Sequence, residues 1–531
     1  MKKRHIFLLG LLAVLLCACQ SVKKPDHDIV ILFENDVHCA IDGYTKFGAL
    51  KQEMLAQTPY VAVVSAGDYV QGAAIGSITK GESIIKIMNA VGYDATTIGN
   101  HEFDYGINQM KHLMSELTAD VVCCNFTDQN DTQIFPSYTI KQFGDVKVAF
   151  VGAATPTTFT SSTPTFFEDA SGKLIYSFHV EDCFKRIEKA AKEARSNGAD
   201  YVIVLSHLGD DTEVDNSVDM IRNTTGIDAV LDGHQHHIIN QTISNKSGKP
   251  IHLASTGTAF LRMGKLTINT EGQISVELIR SDSYKNQSEE VAKVIEDIED
   301  QLQDQINAVV GYTEVPLTMF KFNDRETRRG ETNLADLLAD AFRDQTGADV
   351  AMVNGGGIRN QINAGPITFG EIYSVMPFNN TVCMVECTGQ QILDAIEMGV
   401  SLAPEENGSF MQVSGLRYSY DPSIPTSVKY DVNNMFIGIA GSRRVTSVEV
   451  LNKEGEWEPL DVNKSYTVGG QSYILQNKGA EGVFQTAKKI ACPECNGRTD
   501  VQAVIDYLQK IGRVTAREYG KPQQRITVVK K

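Results

Sequence analysis

Five short polar motifs in the first half of the chain carry side chains that could bind metal ions. They are Asp36-Val-His38, Gly67-Asp68, Gly99-Asn100-His101-Glu102, Ser206-His207 and Gly233-His234-Gln-His236. Imidazole and carboxylate groups suit divalent cations such as Zn, Mn or Fe, and the number of ligands fits a two-metal centre. A single Asp-x-His or a lone histidine is more often structural than functional. The prediction of a metal site therefore depends on the five motifs occurring together.

Each of these motifs follows an apolar run that predicts a buried β-strand. The runs are Ile29 to Phe33, Tyr60 to Val64, Ala95 to Ile98, Val121 to Cys123, Val146 to Val151, Tyr201 to Leu205 and Ile227 to Leu231. Helical periodicity over Glu82 to Val91 and Asp182 to Ser196 alternates with them, which indicates an α/β layered domain. Because the carboxyl ends of strands in such a sheet face one crevice, distant loops can bring these side chains together.

A charged helical stretch over residues 288–309 separates these motifs from the rest of the chain. Beyond it, the patterns predict helices over Thr332 to Gln345 and Thr388 to Met398, and strands over Asp349 to Val353, Val382 to Glu386 and Leu416 to Tyr420. We therefore expect an α/β fold in two parts. A first domain spans residues 28–285, a linker helix spans 286–310, and a second α/β domain spans 311–531.

The composition limits the class of protein. The 531 residues are 42% hydrophobic and 22% charged, as in ordinary globular proteins, and they are too many for one hydrophobic core. The formal net charge of −17 disfavours a nucleic acid polymer as partner, because binding its phosphates requires a positive face. A small phosphorylated ligand remains compatible, since a few local cations or metal ions can hold it.

The first residues are predicted to direct export. Basic residues at positions 2–4 precede an apolar run from Ile6 to Leu16, which is too short for a usual membrane span. The segment Leu16-Cys-Ala-Cys19 resembles a bacterial lipobox, which implies a signal peptide over residues 1–18, lipidation of Cys19 and a tether over 19–27. We expect an exported periplasmic or cell-surface lipoprotein that meets the membrane through this anchor only. The alternative is a plain signal peptide that is cut nearby.

Two pairs of cysteines lie close in sequence in the second half. Cys492-Pro-Glu-Cys495 has the spacing of half a zinc site, but no second pair supplies the other ligands, so we expect a local disulfide. Cys383 and Cys387 fall on one face of a predicted strand, which favours buried thiols.

Taken together, the five motifs resemble the calcineurin-like metallophosphoesterases, whose pattern is Asp-x-His, Gly-Asp, Gly-Asn-His-Glu/Asp, His and Gly-His-x-His. The stretch Gly99 to Asp104 resembles the version in the exported bacterial 5′-nucleotidase and UDP-sugar hydrolase family. The resemblance implies an αββα domain in which Asp68 bridges two divalent metal ions, Zn, Mn or similar. One ion would be completed by Asp36, His38 and His236, and the other by Asn100, His207 and His234. The nearest family members usually have Gln or Asn in place of His236, so the metal preference stays open.

The chemistry implied by this resemblance is hydrolysis of a phosphoric ester. Paired metal ions clamp a phosphoryl group and lower the pKa of a shared water, and the resulting hydroxide attacks phosphorus in line. His101 follows a metal ligand, and the family pairs it with the residue at Asp104. An imidazole held by a carboxylate can stabilise the transition state or protonate the leaving oxygen.

A second group of residues resembles the substrate-binding signature of the 5′-nucleotidase C-terminal domain. It consists of arginines before the helix at Thr332 and the motif Asn354-Gly-Gly-Gly-Ile-Arg359. Glycines let the backbone approach an anion closely, and guanidinium groups match phosphate oxygens. The resemblance implies that Arg328 and Arg359 hold the phosphate, with Asn354 and Asn380 nearby and Arg325 as a further candidate.

The same family binds a nucleobase between two aromatic rings. Phe378 lies in the segment that matches the first ring, and Tyr473 would be the second. Glu481 stands where the family has an Asp that accepts from ribose hydroxyls, at a longer spacing, which leaves nucleoside selectivity open. Because metals and substrate pocket lie on separate predicted domains, catalysis requires a hinge rotation that brings the domains together.

The leading interpretation is a two-metal phosphohydrolase that releases phosphate from nucleoside 5′-monophosphates, as a monomer or weak dimer. The same centre could instead act on UDP-sugars or 2′,3′-cyclic nucleotides, because Glu481 replaces the family's Asp in the turn that binds the ribose. A third alternative is a surface lipoprotein that binds without hydrolysis, although the complete set of metal ligands counts against it.

Overall fold

The computed structural model describes residues 23–169, 171–210, 215–321, 324–495 and 497–529. The predicted signal peptide and the lipidation site Cys19 therefore lie outside the described residues. Within the described ranges, no helix combines the length and the apolar character that crossing a bilayer requires.

Two six-stranded sheets form the centre of the N-terminal half. In spatial order, the first contains Ile274–Arg280, Arg262–Ile268, Ile29–Glu34, Val61–Ser65, Ala95–Thr96 and Asp120–Val121. The second contains Ile238–Ser244, Pro250–Thr256, Ala229–Leu231, Tyr201–His207, Val146–Ala154 and Tyr138–Phe143. Each sheet has four neighbouring parallel strands, so their carboxyl ends lie at one edge.

The two sheets pack face to face, and helices cover the outer face of each. Side chains of both sheets, including Phe33 and Phe150, share one buried cluster. The first sheet packs outward on the helices Asp42–Leu55, Ala74–Thr79, Glu82–Val91 and Ile107–Glu116, and the second on Cys183–Ser196 and Ser217–Asn223. This is the αββα layering implied by the resemblance, and the α/β fold class is confirmed.

Two strands of the first sheet are shorter than predicted. The sequence predicts strands over Ala95 to Ile98 and Val121 to Cys123, whereas the structure has Ala95–Thr96 and Asp120–Val121. The Cys124 N–H donates to a carbonyl oxygen of the second sheet at 2.8 Å, so the chain crosses between sheets here. This crossing ends the strand before its apolar run ends.

The helix Glu289–Ile306 connects the two halves of the chain. Its residues Val291 and Ile295 pack in the same cluster as the N-terminal helices. Its last residue lies against Gly370 of the helix Phe369–Val375, so the connecting helix contacts both halves.

A five-stranded mixed sheet is the centre of the C-terminal half. Its spatial order is Met411–Ser414, Val350–Asn354, Ser465–Gln471, Val382–Thr388 and Lys488–Ile490. Because side chains alternate along a strand, Met352 and Val353 enter different cores on the two faces. One core includes the helices Asn333–Thr346, Phe369–Val375 and Asp500–Ile511. The other includes the helix Gly389–Gly399 and a sheet of Trp457–Pro459, Val445–Leu451, Leu416–Tyr420 and Ile526–Val528.

Short elements complete the described fold. Paired strands are Thr127–Asp128 with Tyr176–Ser177, Val309–Thr313 with Gly365–Thr368, Phe320–Lys321 with Asp324–Arg325, and Val428–Tyr430 with Phe436–Ile439. Short helices are Thr158–Ser161, Ser472–Leu475 and Ala516–Tyr519, and 3₁₀ turns are His101–Phe103, Pro164–Phe167, Glu326–Arg328, Gly355–Gly357 and Ala480–Gly482. The expected disulfide joins Cys492 and Cys495, and the thiols of Cys383 and Cys387 are buried as expected.

Candidate active site

The seven predicted metal ligands come together at the carboxyl ends of the parallel strands. Asp36 and His38 follow Ile29–Glu34, Asp68 follows Val61–Ser65, Asn100 follows Ala95–Thr96, His207 ends Tyr201–His207, and His234 and His236 follow Ala229–Leu231. The buried strands hold these short loops in place, and the two sheets supply ligands from both sides.

Asp36, His38 and His236 form one group of ligand atoms. The Nε2 atoms of His38 and His236 lie 3.0 Å apart, and Asp36 Oδ1 lies 3.4 Å from His236 Nε2. His38 Nδ1 lies 3.0 Å from the Gln71 carbonyl oxygen, which can only accept. Nδ1 therefore carries the proton, and the lone pair of His38 Nε2 faces the other two ligands.

Asp68, His207 and His234 form a second group. His207 Nδ1 donates to the Ala66 carbonyl oxygen at 2.7 Å, which fixes the ring so that its Nε2 faces Asp68. This Nε2 lies 3.1 Å from Asp68 Oδ2, yet it forms no hydrogen bond with any described residue. Asn100 Oδ1 lies 2.9 Å from His234 Nδ1. Asp68 Oδ2 is also 4.0 Å from the Nε2 atom of His38, which puts Asp68 between the two groups.

Five of the seven ligands have a left-handed backbone conformation. The φ angles are 52° for Asp36, 48° for His38, 61° for Asp68, 81° for His234 and 61° for His236. Residues other than glycine rarely adopt the left-handed region, because each such residue costs about 1–3 kcal/mol of backbone strain. Backbone hydrogen bonds between the loops, such as Asp36 N–H to the Gly67 carbonyl at 2.9 Å, hold the strained conformation. Strain concentrated on one set of residues is typical of a functional site.

Charge interactions within the centre shift the pKa values of the predicted ligands. Burial raises the pKa of Asp36, but the hydrogen bond and charge of His236 bring it down to about 2. Burial and the charges of neighbouring imidazoles hold the pKa of His38 well below its usual value. The centre therefore contains an ionised carboxylate and a neutral imidazole, the forms that coordinate metals.

His101 and Asp104 form a hydrogen-bonded pair beside the metal ligands. His101 Nδ1 lies 2.6 Å from Asp104 Oδ2. The backbone N–H of His101 donates to Asp68 Oδ1 at 2.8 Å. Burial lowers the pKa of His101, but the carboxylates of Asp104 and Asp68 raise it by more. The pair can therefore retain a proton on the ring, as an acid requires.

Glu102 is a site residue to which the sequence analysis assigned no role. Its buried carboxylate accepts the backbone N–H groups of Gly99 at 2.6 Å, Asp68 at 2.9 Å and Tyr69 at 2.9 Å. Burial and the Asp68 charge raise the pKa of Glu102 to about 7. One side chain thus ties the loop of Asp68 to the loop of Asn100. Its position inside the Gly-Asn-His-Glu motif was the available signal.

A cavity of about 650 Å³ lies between the metal ligands and the C-terminal half. On the N-terminal side it is lined by Asp68, Asn100, His101, Asp104, His234 and His236. All eight predicted substrate residues line the same cavity: Arg325, Arg328, Asn354, Arg359, Phe378, Asn380, Tyr473 and Glu481. Two groups of residues that are far apart in sequence therefore share one space.

The arginines give this cavity a positive wall. Arg325 pairs with Glu406, with 2.7 Å between Nε and Oε2, whereas no described residue bonds to the Nε of Arg328. Burial and the charges of Arg325 and Arg359 lower the pKa of Arg328. Cations that repel one another in a partly desolvated wall favour the binding of an anion.

The predicted nucleoside-binding residues lie where the two halves meet. The Phe378 ring is 6.0 Å from the His101 ring and 5.8 Å from the Arg359 guanidinium carbon. The Tyr473 hydroxyl donates to the Thr160 carbonyl oxygen at 3.2 Å. The Glu481 carboxylate accepts from the Ser409 hydroxyl, and burial raises the pKa of Glu481 to about 7.

Polar contacts hold the two halves together around the cavity. Ser77 Oγ donates to the Pro377 carbonyl oxygen at 2.8 Å, and Asn379 donates to the Ser77 carbonyl oxygen at 3.2 Å. Lys478 Nζ lies 2.6 Å from Glu168 Oε1. The C-terminal residues of the cavity therefore lie against the N-terminal half, beside the predicted metal ligands.

Comparison with known protein families assigns both halves of the chain. Residues 29–237 match the calcineurin-like phosphoesterases, and residues 309–489 match the 5′-nucleotidase C-terminal domain. The chain belongs to the proteins that combine these two domains. The resemblance drawn from the motifs is thus confirmed, and with it membership of a class of metal-dependent phosphoester hydrolases.

Several known proteins are similar to this chain over most of its length. A 5′-nucleotidase precursor from Thermus thermophilus superposes with a TM-score of 0.77 at 25% identity, covering 95% of this chain and 100% of that one. A snake venom 5′-nucleotidase of Gloydius brevicauda is 25% identical over 94% of this chain and 90% of its own. The trifunctional nucleotide phosphoesterase protein YfkN of Bacillus subtilis is 27% identical over 91% of this chain. The chain spans only 34% of the length of YfkN.

The residues of this two-domain phosphoesterase fit divalent cations at the predicted centre. The donor set is oxygen and nitrogen only, which suits Zn, Mn and similar ions. His207 Nε2 and Asp68 Oδ2 are buried and lie 3.1 Å apart, a separation that allows both atoms to bind one cation.

Proposed function

We propose that the protein releases phosphate from nucleoside 5′-monophosphates at a two-metal centre. The observation that carries the proposal is the single cavity in which the metal ligands around Asp68 face Arg328 and Arg359. A phosphate ester in this cavity would meet the arginines on one side and the metal ligands on the other.

Asp68 would be shared by two cations in this proposal. Asp36, His38 and His236 would complete one site, and Asn100, His207 and His234 the other. Two bound divalent ions would neutralise the phosphoryl oxygens and lower the pKa of a water that attacks phosphorus in line. The protein contributes rigid ligands, since their strained loops are fixed by backbone hydrogen bonds.

His101 would supply the proton that the leaving oxygen needs. The Asp104 carboxylate, 2.6 Å from Nδ1, holds the ring in one orientation and favours its protonated form. Departure of an alkoxide is costly unless a proton reaches it in the transition state. His101 is therefore the proposed general acid, and Asp104 the residue that positions it.

The C-terminal residues would bind and orient the nucleotide. Arg328 and Arg359 would grip the phosphate, with Arg325, Asn354 and Asn380 beside them. Phe378 and Tyr473 would contact the base, and Glu481 would accept from a ribose hydroxyl. Support comes from the cavity that they line together and from the Nε of Arg328, to which no residue in the described part of the chain bonds.

A direct test is phosphate release from AMP, GMP and UMP in the presence of Mn or Zn. The proposal expects turnover by the wild type, loss of it in Asp68→Asn, and a strongly reduced kcat in His101→Ala. Normal turnover by Asp68→Asn would contradict the two-metal mechanism. Circular dichroism spectra that match the wild type exclude unfolding as the cause of any loss.

A second candidate keeps the metal centre but changes the substrate to a 2′,3′-cyclic nucleotide or a UDP-sugar. It is favoured by Glu481 in the ribose turn and by YfkN, a relative whose name describes three nucleotide phosphoesterase activities. If AMP is inert while a cyclic or diphosphate substrate turns over, this candidate replaces the first.

We further propose domain limits of 28–285, 286–310 and 311–531 and a monomeric or weakly dimeric state.

We also propose export and lipid anchoring through Cys19. Support for export comes from the Cys492–Cys495 disulfide and from the venom relative. Replacing Cys19 by Ala should move the protein from the membrane fraction to the soluble fraction. Retention in the membrane fraction would contradict the anchor.

A further inference from the structure

Two amide side chains end neighbouring parallel strands in the C-terminal sheet. The strand Val350–Asn354 pairs in parallel with Ser465–Gln471, and Met352 lies opposite Gly470. Asn354 and Gln471 are the last residues of these strands, so both reach the same edge of the sheet. Both line the cavity that also contains the arginines.

The orientation of the Gln471 amide is fixed from behind by Asp500. Gln471 Nε2 donates to Asp500 Oδ2 at 2.8 Å, and the other oxygen of Asp500 accepts the Val501 N–H at 2.9 Å. Asp500 itself is fully buried at the start of the helix Asp500–Ile511. Because a carboxylate can only accept, the NH₂ group of Gln471 must face Asp500 and its Oε1 must face away.

Gln471 Oε1 is therefore a buried acceptor that has no donor among the described residues. The Gln471 side chain is 1% exposed, so bulk water does not satisfy this oxygen. Asn354 is similar: its Nδ2 donates to the Gly408 carbonyl at 3.2 Å, and its Oδ1 has no partner in the described chain. Leaving such an oxygen unpaired costs about 1–3 kcal/mol.

The two oxygens lie beside the same glycine. A Cβ atom on Gly357 would be 3.0 Å from Asn354 Oδ1 and 3.4 Å from Gln471 Oε1. Because Gly357 has no side chain, no Cβ atom lies against the two oxygens. Asn354, Gln471 and Arg359 all line the same cavity, and both unpaired oxygens lie at the Gly357 turn.

We propose that Gln471 Oε1 is a specificity-determining acceptor that binds an N–H or O–H donor of the nucleoside, with Asp500 as its positioning residue. The inference rests on the proposed function, since it takes the substrate to be a nucleotide whose phosphate lies on the arginines. The donor is a ribose hydroxyl or the amino group of the base. An acceptor held from behind rejects analogues that lack the donor, because the oxygen then stays unpaired.

The test compares kcat/KM for AMP, 2′-deoxy-AMP, 3′-deoxy-AMP and purine riboside 5′-monophosphate, which lacks the amino group and has no other N–H donor on the base. In the wild type, the analogue without the recognised donor should react about 3- to 10-fold less efficiently than AMP. In Gln471→Met, kcat/KM for AMP should fall to the kcat/KM of that analogue, so that the ratio of the two values approaches one. The analogue that identifies the donor also distinguishes the sugar from the base.

Gln476→Met is the matched control, because Gln476 is five residues away and does not line the cavity. It should keep the wild-type ratios. Asp500→Asn is the second variant, since the Asn side chain can donate and so permits the Gln471 amide to flip. It should reduce the ratio of kcat/KM for AMP to kcat/KM for the analogue without the donor. This variant tests the role of Gln471 if Gln471→Met does not fold.

Gln471 does not determine specificity if the wild type has the same kcat/KM for all four substrates. The same conclusion follows if Gln471→Met lowers kcat/KM for every substrate by one common factor. A common factor would indicate a structural role only. Absence of phosphate release from all four by the wild type would instead contradict the proposed function.

Discussion

Replacing Glu102 by Gln should weaken the metal centre without removing any metal ligand. The carboxylate uses Oε2 for the N–H groups of Asp68 and Gly99, and Oε1 for that of Tyr69. The Gln side chain has only one oxygen, so its NH₂ group must face at least one of these backbone N–H groups. The NH₂ group and that N–H are both donors, and they then face each other in a fully buried site.

The size of the effect follows from these bonds. A hydrogen bond to a charged group contributes about 1.5–3 kcal/mol, so losing one and weakening its neighbours should cost about 2–4 kcal/mol of unfolding free energy. For a domain of this size the midpoint of thermal unfolding should fall by about 5–10 °C. Because Glu102 orients the loops of Asp68 and Asn100, metal affinity or kcat/KM should also fall by about 10- to 100-fold.

Glu397 provides a matched control in the C-terminal half. It is also fully buried and accepts two backbone N–H groups, those of Arg444 at 2.8 Å and Val445 at 2.9 Å. Glu397→Gln should lower the unfolding temperature similarly but leave metal affinity unchanged, as measured by titration with Mn. Glu102 does not organise the metal centre if Glu102→Gln binds Mn and hydrolyses AMP like the wild type, or if both variants lose metal equally.

Three further predictions concern other parts of the site. Asp104→Asn removes a carboxylate that raises the pKa of His101, so this pKa should fall and the alkaline limb of the kcat–pH profile should move to lower pH; an unmoved limb would exclude His101 as the acid. Gly99→Ala would put a Cβ atom 2.2 Å from Asp68 Oδ1 and 2.7 Å from His207 Nε2, so the purified variant should contain less metal, and full metal occupancy would contradict the observed close approach. Glu168→Lys should raise the KM for AMP about fivefold by repelling Lys478 across the two halves, and adding Lys478→Glu should restore it, unless the contact plays no part in closure.

Much of the framework follows from the sequence because strand and helix periodicity is a local property. The helix Glu82–Val91 has its predicted limits, and the glycine that follows it is left-handed with a φ of 75°. The placement of ligand motifs after strands also follows, since parallel strands of one sheet end at the same edge. The edge strand Asp120–Val121 is shorter than its apolar run, because its extent depends on where the chain crosses to the other sheet.

Roles that depend on long-range hydrogen bonds could not be read from the sequence. Glu102 is next to a predicted site residue, but its four backbone partners, Gly99, Asp68, Tyr69 and Val70, are known only once the loops are folded. The direction of the Gln471 amide is set by a carboxylate 29 residues away in sequence. Composition and periodicity carry no information about either contact, because both arise from tertiary packing.

Anomalous diffraction from crystals grown with Mn shows whether two cations share Asp68. Two manganese peaks are expected, both within coordination distance of Asp68, with Asp36, His38 and His236 around one and Asn100, His207 and His234 around the other. A single peak, or two peaks of which only one contacts Asp68, would mean that Asp68 does not bridge two ions.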